Sequence, residues 1–302
     1  MTPNDEFGRK PFGTQSSPFE VLVRTMAASM PARVAAATVA IVGSCAGVVR
    51  HLGTGTLLTV ADMKFVVTAA HVLHKAKEQD LTVAISPASG GVFTALTART
   101  WMATSARGVD DEHDIALYPL DVLELGRLGA TDSIRIADVC FERDLSVAYF
   151  VVCGFPGMWS TTSHSDGVDM KSKLLQYGTY SFIGSVSGLR GFDPDRHILL
   201  DGTPGDMRNH HGEPTRFKTR SGYPASMPGA LAGISGCSVW RIGDFRTPTS
   251  EWNVDGARIV GVQTGVYESA GAIKATRWHS VAILLYAAYP DLRSTINLYA
   301  DI

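Results

Sequence analysis

From residue 38 onward, the sequence consists mainly of short apolar runs that are separated by turn residues. The runs are rich in Val, Ile, Leu and Thr, and Gly, Asp or Pro stands between most of them. Many short runs of this kind are typical of closed barrels or sandwiches, and nothing resembles the long helices of a doubly wound sheet. We therefore predict an all-β fold. The predicted strands are 38–43, 54–60, 65–69, 81–85, 115–117, 147–153, 180–187, 198–200, 237–242 and 259–266.

Helical and irregular patterns are confined to the two ends and to one long loop. Residues 1–17 contain Pro and Gly and predict a flexible lead-in. Residues 18–37 and 276–302 carry apolar side chains at three- and four-residue spacing, which predicts a helix in each. Residues 201–228 are polar and turn-rich and predict a long surface loop. The terminal helices offer a place where a regulatory partner could bind.

Composition limits the classes of partner. Apolar residues make up 45% of the 302 residues and charged residues 19%, which is enough material for a large core. The formal net charge is −2, from 27 basic and 29 acidic residues. This near balance gives no reason to expect a nucleic-acid or membrane partner. The first ten residues are polar and mixed in charge, unlike a secretory signal, so we expect a cytoplasmic location.

The four cysteines, Cys45, Cys140, Cys153 and Cys237, are scattered without close spacing. In a cytoplasmic chain this favours four reduced, mostly buried thiols over two disulfides. No Cys-x-x-Cys pair is present, so structural zinc is not expected. We predict no metal and no cofactor.

Three short segments place a reactive side chain beside an apolar, strand-like run. They are Thr68-Ala-Ala-His71, His113-Asp114-Ile-Ala-Leu117 and Gly233-Ile-Ser235-Gly236. Together they supply an imidazole base, a carboxylate that could orient it, and a hydroxyl nucleophile. Acyl transfer requires these three groups, because a serine hydroxyl is a poor nucleophile until a base accepts its proton.

Each of these residues has a plainer interpretation when it is taken alone. A histidine at a strand end is more often structural, and His74 is a second candidate for the base. Asp114 is consistent with a simple turn, although a carboxylate beside buried residues requires a hydrogen-bond donor such as the imidazole. His113 is interpreted as a flanking residue. A metal site built on two histidines is disfavoured, because no third ligand follows at a suitable spacing.

The segment around Ser235 also offers hydrogen-bond donors. Glycines before and after Ile-Ser permit a tight turn, which could direct the backbone N–H groups of Gly233 and Ser235 at an oxyanion. Cys237 and Ser238 are competing nucleophiles, but they belong to the following strand. Cys237 also stands where a Gly-x-Ser-x-Gly elbow requires its last glycine, which argues against an α/β-hydrolase.

The three segments, in the order His, Asp, Ser, resemble the signatures of the trypsin/chymotrypsin-like serine peptidase family. Two further segments agree with this resemblance: Gly154-Phe-Pro-Gly157, and Ile259 to Gly265, which is similar to the strand that pairs with a substrate backbone in that family. The similarity spans about residues 40–285. It implies two packed six-stranded antiparallel β-barrels, over residues 38–140 and 141–275.

The resemblance also implies roles for residues. His71 is the expected general base, Asp114 orients it, and Ser235 attacks the carbonyl to give an acyl-enzyme. Gly233 and Ser235 form the expected oxyanion hole. Substrate contacts are expected from Gly229, Gln263, Thr264 and Gly265.

Several residues depart from the family pattern. Val72 follows the histidine, so the disulfide common there in secreted members is missing. Ile234 precedes the serine where many relatives have an aspartate, so activation by an ion pair with a new N-terminus is not available. Cys237-Ser238 replaces Gly-Pro. Gly229 indicates a small or apolar side chain at the cleaved position.

We therefore predict a serine endopeptidase that acts on a protein or peptide substrate. The alternative is a weak or inactive relative that binds peptides or regulates a partner through the same fold.

Overall fold

The computed structural model describes most of the chain from residue 30 onward. The described residues are 30, 32–87, 93–97, 100–104, 113–129, 132–145, 148–157, 160–163, 169–172, 174–182, 184–202, 207–209, 231–244, 246, 248, 252 and 254–302. The predicted lead-in over residues 1–17, most of the predicted helix over 18–37 and most of the loop over 201–228 lie outside them.

The first sheet is built from residues 38–135. Its strands are β1 (Thr38–Cys45), β2 (Val48–Val60), β3 (Met63–Ala69), β4 (Thr82–Pro87), β5 (Thr94–Ala95), β6 (Met102–Ala103), β7 (Ile115–Pro119) and β8 (Ile134–Arg135). They lie in the order β5-β4-β1-β2-β3-β7-β6 with antiparallel neighbours, and β8 pairs with β2 in parallel. Tight turns join β1 to β2 and β2 to β3, which explains why sequential strands are neighbours.

The second sheet follows from residue 148 onward. Its strands are β9 (Ala148–Gly154), β12 (Leu175–Tyr180), β13 (His197–Asp201), β14 (Met207–Asn209), β15 (Ser238–Asp244), β16 (Arg258–Tyr267) and β17 (Ala272–Arg277), and β10 (Ser160–Ser163) and β11 (Asp169–Ser172) form a separate hairpin. The order is β13-β17-β16-β15-β9-β12-β14. A bridge between Ser181 and Leu200 joins the β12 end to β13 and so closes six of these strands into a barrel.

Helices lie at the edges of the sheets. They are α1 (Ala32–Ala36), α2 (Ala70–Glu78), α3 (Val122–Leu128), α4 (Trp278–Ala288) and α5 (Arg293–Asn297), with short 3₁₀ turns at Ile136–Asp138, Val254–Gly256, Glu268–Ala270 and Pro290–Leu292. No helix in the described part of the chain is long and apolar enough to cross a membrane.

One large apolar core joins the two sheets. Phe65 and Val67 of β3 belong to the same buried cluster as Trp240 of β15 and Ile259 of β16, and Trp278 of α4 completes it. A second cluster, which includes Phe150, Val239 and Ile273, fills the interior of the second sheet. The two sheets therefore pack against each other through continuous apolar contact.

The prediction of an all-β fold with two antiparallel sheets is confirmed. The first sheet has eight strands where six were expected, and three of the eight, β5, β6 and β8, are only two residues long. The run predicted over 180–187 is wrong, since β12 covers Leu175–Tyr180. Strand β17 was not among the predicted strands. The C-terminal helical pattern corresponds to α4, and only Ala32–Ala36 of the N-terminal pattern is described as helix.

Candidate active site

The imidazole of His71 lies where strand β3 passes directly into helix α2. Ala69 is the last residue of the strand and Ala70 the first of the helix, so His71 sits in the first helical turn. Thr68, Ala69 and Ala70 are buried, whereas the His71 side chain is 47% exposed. Small residues before the histidine therefore let its ring face solvent instead of the core.

Strand pairing brings Asp114 to this histidine. Ala69 of β3 is opposite Ile115 of β7, so the residues that follow Ala69 meet those that precede Ile115. The Ala70 N–H donates to the carbonyl of Asp114 at 3.0 Å. The histidine and the aspartate are 43 residues apart in sequence, and the register of two adjacent strands is what makes them neighbours.

The carboxylate of Asp114 holds both the backbone and the ring of His71. Its Oδ1 accepts from the His71 N–H at 2.9 Å, and its Oδ2 lies 2.7 Å from Nδ1. A carboxylate only accepts hydrogen bonds, so Nδ1 carries the ring proton in the neutral imidazole and Nε2 is left as the basic nitrogen. The side chain of Asp114 is only 12% exposed, and its backbone has a φ of +46°. A positive φ is uncommon outside glycine, although aspartate adopts it more easily than most residues, and such conformations often occur at functional sites.

His113 links the segment that contains Asp114 to the rest of the molecule. Its carbonyl accepts from the Thr276 hydroxyl of β17 at 2.8 Å, and its Nδ1 lies 2.9 Å from the Ser280 hydroxyl of α4. The flanking role predicted for His113 is thus a structural one, since the residue links Asp114 to the second sheet and to the C-terminal helix.

Ser235 lies in a loop that runs from residue 231 to the start of β15 and rests on the first sheet. Its carbonyl accepts from the Thr54 N–H of β2 at 2.8 Å. The next residue, Gly236, has a φ of +88°, and a Cβ there would overlap Thr68 and the Thr54 carbonyl. The loop therefore lies against the end of β3 that leads to His71. No hydrogen bond joins the Ser235 Oγ to His71 among the residues that the structure describes.

Every carbonyl from Leu231 to Ser235 accepts a hydrogen bond, and three N–H groups of this loop donate one. The Ala232 carbonyl accepts from Gly157, and the Ile234 N–H donates to Leu231 while its carbonyl accepts from Cys237. The Gly236 N–H donates to the Gln263 carbonyl of β16. These bonds leave the loop few alternative conformations.

The N–H groups of Leu231 and Ala232, at the start of the loop, have no acceptor within the described residues, and the same is true of the N–H groups of Gly233 and Ser235. In a trans peptide the N–H points opposite the preceding carbonyl. The Ala232 and Ile234 carbonyls are already bound on one side, so these two N–H groups point away from Gly157 and Cys237. Two unpaired donors beside a serine hydroxyl could bind an oxyanion.

The competing nucleophiles do not share this environment. Cys237 is fully buried, and burial raises the pKa of its thiol well above the ordinary value, with Cys153 adding to the effect. Ser238 is also fully buried, and its hydroxyl accepts from the Trp240 indole at 2.7 Å. His74 makes no hydrogen bond with a carboxylate in the described part of the chain. Ser235 and His71 are therefore the better placed nucleophile and base.

The residues expected to contact substrate are only partly described. Gly229 lies outside the described residues. Gln263 is buried, its Nε2 donates to the Gly265 carbonyl at 2.9 Å, and its Oε1 has no partner among the described residues. The Thr264 hydroxyl lies 3.1 Å from that of Thr276 and so faces inward. Gly265 is opposite Lys274 of β17, with an irregularity in register between Gln263 and Gly265.

Sequence reasoning missed two residues of this site, Thr54 and His51 of β2. The Thr54 hydroxyl donates to the Gly233 carbonyl at 3.0 Å, and His51 Nε2 lies 3.1 Å from the same oxygen. Burial lowers the pKa of His51, and the backbone at Gly233 and Phe155 partly opposes this shift. His51 precedes the predicted strand over 54–60 and Thr54 opens it, and the sequence around them does not distinguish them from ordinary sheet residues. Within the described residues no three His, Cys, Asp or Glu side chains cluster as a metal site requires.

Comparison with known proteins gives similarity at the level of the backbone only. No known family profile matches the chain, and no curated protein matches its sequence. A Glu endopeptidase in complex with MPD is 14% identical, with a TM-score of 0.45, and the match covers 85% of this chain and 93% of that one. A thermostable serine protease, AL20, from an extremophilic microorganism is 12% identical, with a TM-score of 0.46 and coverages of 86% and 99%. The tobacco vein mottling virus protease is 10% identical, with a TM-score of 0.42 and coverages of 84% and 83%. At these identities and TM-scores, the similarities leave the function of the chain open.

Proposed function

We propose that this protein is a serine endopeptidase that hydrolyses peptide bonds through an acyl-enzyme. The observation that carries the proposal is the pairing of His71 with Asp114 beside a loop that presents Ser235 and two unpaired N–H groups. A base with its tautomer set, a hydroxyl and an anion-binding turn are the groups that acyl transfer requires. The sequence resemblance to trypsin-like peptidases supports the same assignment.

In the proposed mechanism, Nε2 of His71 accepts the hydroxyl proton as Ser235 Oγ bonds to the substrate carbonyl carbon. Asp114 stabilises the imidazolium that forms. The N–H groups of Gly233 and Ser235 stabilise the developing oxyanion, which in known enzymes is worth about 3–4 kcal/mol per donor. The imidazolium then gives its proton to the leaving amine as the C–N bond breaks. Water, activated by the same base, hydrolyses the resulting ester.

An unpaired strand edge supports a peptide as the substrate. Strand β17 pairs with β16 as far as Tyr267, but β15 pairs with it only as far as Val262. The opposite edge of residues 264–267 thus has no strand partner among the described residues. An extended peptide could add to this edge through backbone hydrogen bonds. We propose that Gln263, Thr264, Gly265 and Gly229 contact that peptide, with a small or apolar side chain at the cleaved position.

The same edge would also serve a protein that binds peptides without cleaving them. This second function is favoured by the lack of a hydrogen bond from the Ser235 hydroxyl within the described residues. Hydrogen bonds of this kind are often long in unliganded enzymes and shorten when substrate binds, so the peptidase remains our proposal. A cytoplasmic location and a regulatory partner at the terminal helices stay predictions.

Covalent labelling by a fluorophosphonate probe separates the two functions. We expect the wild-type protein to be labelled, and Ser235→Ala to abolish labelling because the attacking oxygen is removed. Ser238→Ala is the matched control, since it removes the neighbouring hydroxyl and should still be labelled. We expect Ser235→Ala and His71→Ala to lower turnover of a peptide substrate by roughly 10⁴–10⁶. A folded wild-type protein that is never labelled would favour the binding function instead.

A further inference from the structure

Thr54 is a buried threonine whose N–H, carbonyl and hydroxyl are all hydrogen-bonded, the N–H and the hydroxyl across the contact between the two sheets. It lies in β2 and is fully buried. Its N–H donates to the Ser235 carbonyl, and its own carbonyl accepts from the Thr68 hydroxyl at 2.7 Å. A buried hydroxyl is costly unless it is hydrogen-bonded, so the partners of the Thr54 side chain indicate what it does.

The direction of the hydroxyl follows from its two partners. The Phe155 N–H lies 2.9 Å from Thr54 Oγ1, and an N–H can only donate. Oγ1 is therefore the acceptor in that contact, and its proton is directed at the Gly233 carbonyl, 3.0 Å away. Thr54 thus holds the loop at Gly233 through its side chain and at Ser235 through its backbone.

His51 supplies a second donor to the same carbonyl. A carbonyl oxygen only accepts, so Nε2 of His51, at 3.1 Å, carries the proton. Burial lowers the pKa of His51, which disfavours the charged ring. Two side chains of one strand of the first sheet therefore converge on one peptide group of the second.

This peptide group lies between the two peptide groups that carry the N–H donors of Gly233 and Ser235. Gly233 has a φ of +101°, a conformation that glycine adopts easily, so its flanking peptides can rotate unless they are held. Gly157 holds the peptide before Gly233, and Thr54 with His51 holds the peptide after it. Ile234 is buried in an apolar cluster, so no charged side chain at that position anchors the loop.

We propose that Thr54 is a positioning residue for the reaction, which acts by holding the Gly233 carbonyl so that the N–H groups of Gly233 and Ser235 point at the oxyanion. This role rests on the proposed peptidase function. A neutral hydrogen bond between the sheets thus keeps the loop in the conformation that binds the oxyanion.

The test removes the hydroxyl without changing the shape of the side chain. In Thr54→Val, we expect the maximal inactivation rate with a fluorophosphonate probe to fall about tenfold to hundredfold, because the phosphonyl oxygen occupies the oxyanion site. The probe concentration for half-maximal rate should change less than about twofold, because ground-state binding does not use that site. Thr54→Ser restores the hydroxyl and should recover most of the rate.

Thr56 provides a matched control on the same strand. Its hydroxyl is equally buried, but it has no hydrogen-bond partner among the described residues. Thr56→Val should therefore leave the inactivation rate unchanged. Thermal unfolding of each variant verifies that it is folded, and if Thr54→Val does not fold, His51→Leu tests the same carbonyl. We expect that variant to lose about threefold to tenfold in rate, with half-maximal concentration unchanged.

Three outcomes distinguish the hypotheses. A folded Thr54→Val protein that reacts at the wild-type rate overturns the positioning role and leaves the peptidase proposal standing. An equal loss in Thr56→Val also overturns it, since the effect would then come from packing in β2. A wild-type protein that does not react with the probe contradicts the peptidase function itself.

Discussion

The two sheets contribute to the candidate site in different ways. The first sheet supplies His71 and Asp114, which are joined directly because β3 and β7 are paired neighbours. The second sheet supplies the loop with Ser235, and this loop is held by hydrogen bonds to both sheets, with Thr54 and His51 as its partners on the first. One half of the site is therefore set by local strand register, whereas the other depends on how the two sheets pack.

This difference has an energetic consequence. Strand register cannot slip by one residue without turning every side chain of β3 or β7 to the opposite face, so the His71–Asp114 pair is strongly specified. The loop is fixed by individual hydrogen bonds, each worth about 1 kcal/mol net in a typical protein. We therefore expect variants at the contact between the sheets to alter the loop more easily than variants within the first sheet alter the histidine.

The largest effect that tests this comparison is expected from Asp114→Asn. Asparagine tolerates a positive φ as well as aspartate does, so the backbone should be preserved. Its amide can donate to Nδ1 and so favour the wrong tautomer of His71. We expect turnover of a peptide substrate to fall about 10⁴-fold. Steady-state kinetics measure the loss.

The control for Asp114→Asn is its thermal unfolding temperature, which should stay close to that of the wild type. If turnover were close to the wild-type value, the aspartate would have no part in orienting the base. The His71–Asp114 pair of the first sheet would then have a structural role only.

The sequence predicts the first half of the site better than the second. His71 follows one apolar run and Asp114 precedes another, and both runs are recognisable strands. The two residues meet if those strands pair. Thr54 and His51 act on a loop about 180 residues further along the chain, and no local pattern reports a contact of that kind. Strand β17 was missed because Lys274, Thr276 and Arg277 interrupt its apolar pattern.

The next largest effect is expected at the contact between the sheets, from Gly236→Ala. A Cβ at this position would overlap the Thr68 hydroxyl and the Thr54 carbonyl, and the φ of +88° is unfavourable for alanine. We expect a loss of about 3 kcal/mol or more in the free energy of unfolding, from strain and overpacking together. Urea unfolding measures it.

Gly47→Ala separates backbone strain from overpacking. Gly47 also has a positive φ, +78°, but a Cβ there would meet nothing within 4 Å. Gly47→Ala should therefore cost only the conformational part, about 1 kcal/mol. Equal losses in the two variants would show that the close approach between loop and first sheet contributes nothing to stability.

The smallest expected effect is on the pH dependence of stability, and it concerns two histidines that lie in different environments. His71 of the first sheet is half-exposed, whereas His197 of the second is buried and accepts from the Asp193 N–H at 2.9 Å. Burial, with a smaller contribution from the Lys274 ammonium, lowers the pKa of His197 from 6.5 to about 4. His113 and Arg196 lower it slightly further, and Asp193 opposes them.

The sign of the pH dependence follows from this shift. Between pH 6.5 and pH 4, the unfolded chain binds a proton at His197 that the folded protein does not bind, so acid favours unfolding. The free energy of unfolding is unaffected by this group well above pH 6.5. It falls by roughly 3 kcal/mol as the pH is lowered to 4, because only the unfolded chain gains the proton over most of this range. His197→Asn keeps an acceptor, Oδ1, at the position of Nδ1 for the Asp193 N–H but cannot titrate. Urea unfolding across this range should therefore show a shallower pH slope for the variant, and identical slopes would mean that the buried histidine of the second sheet does not control acid stability.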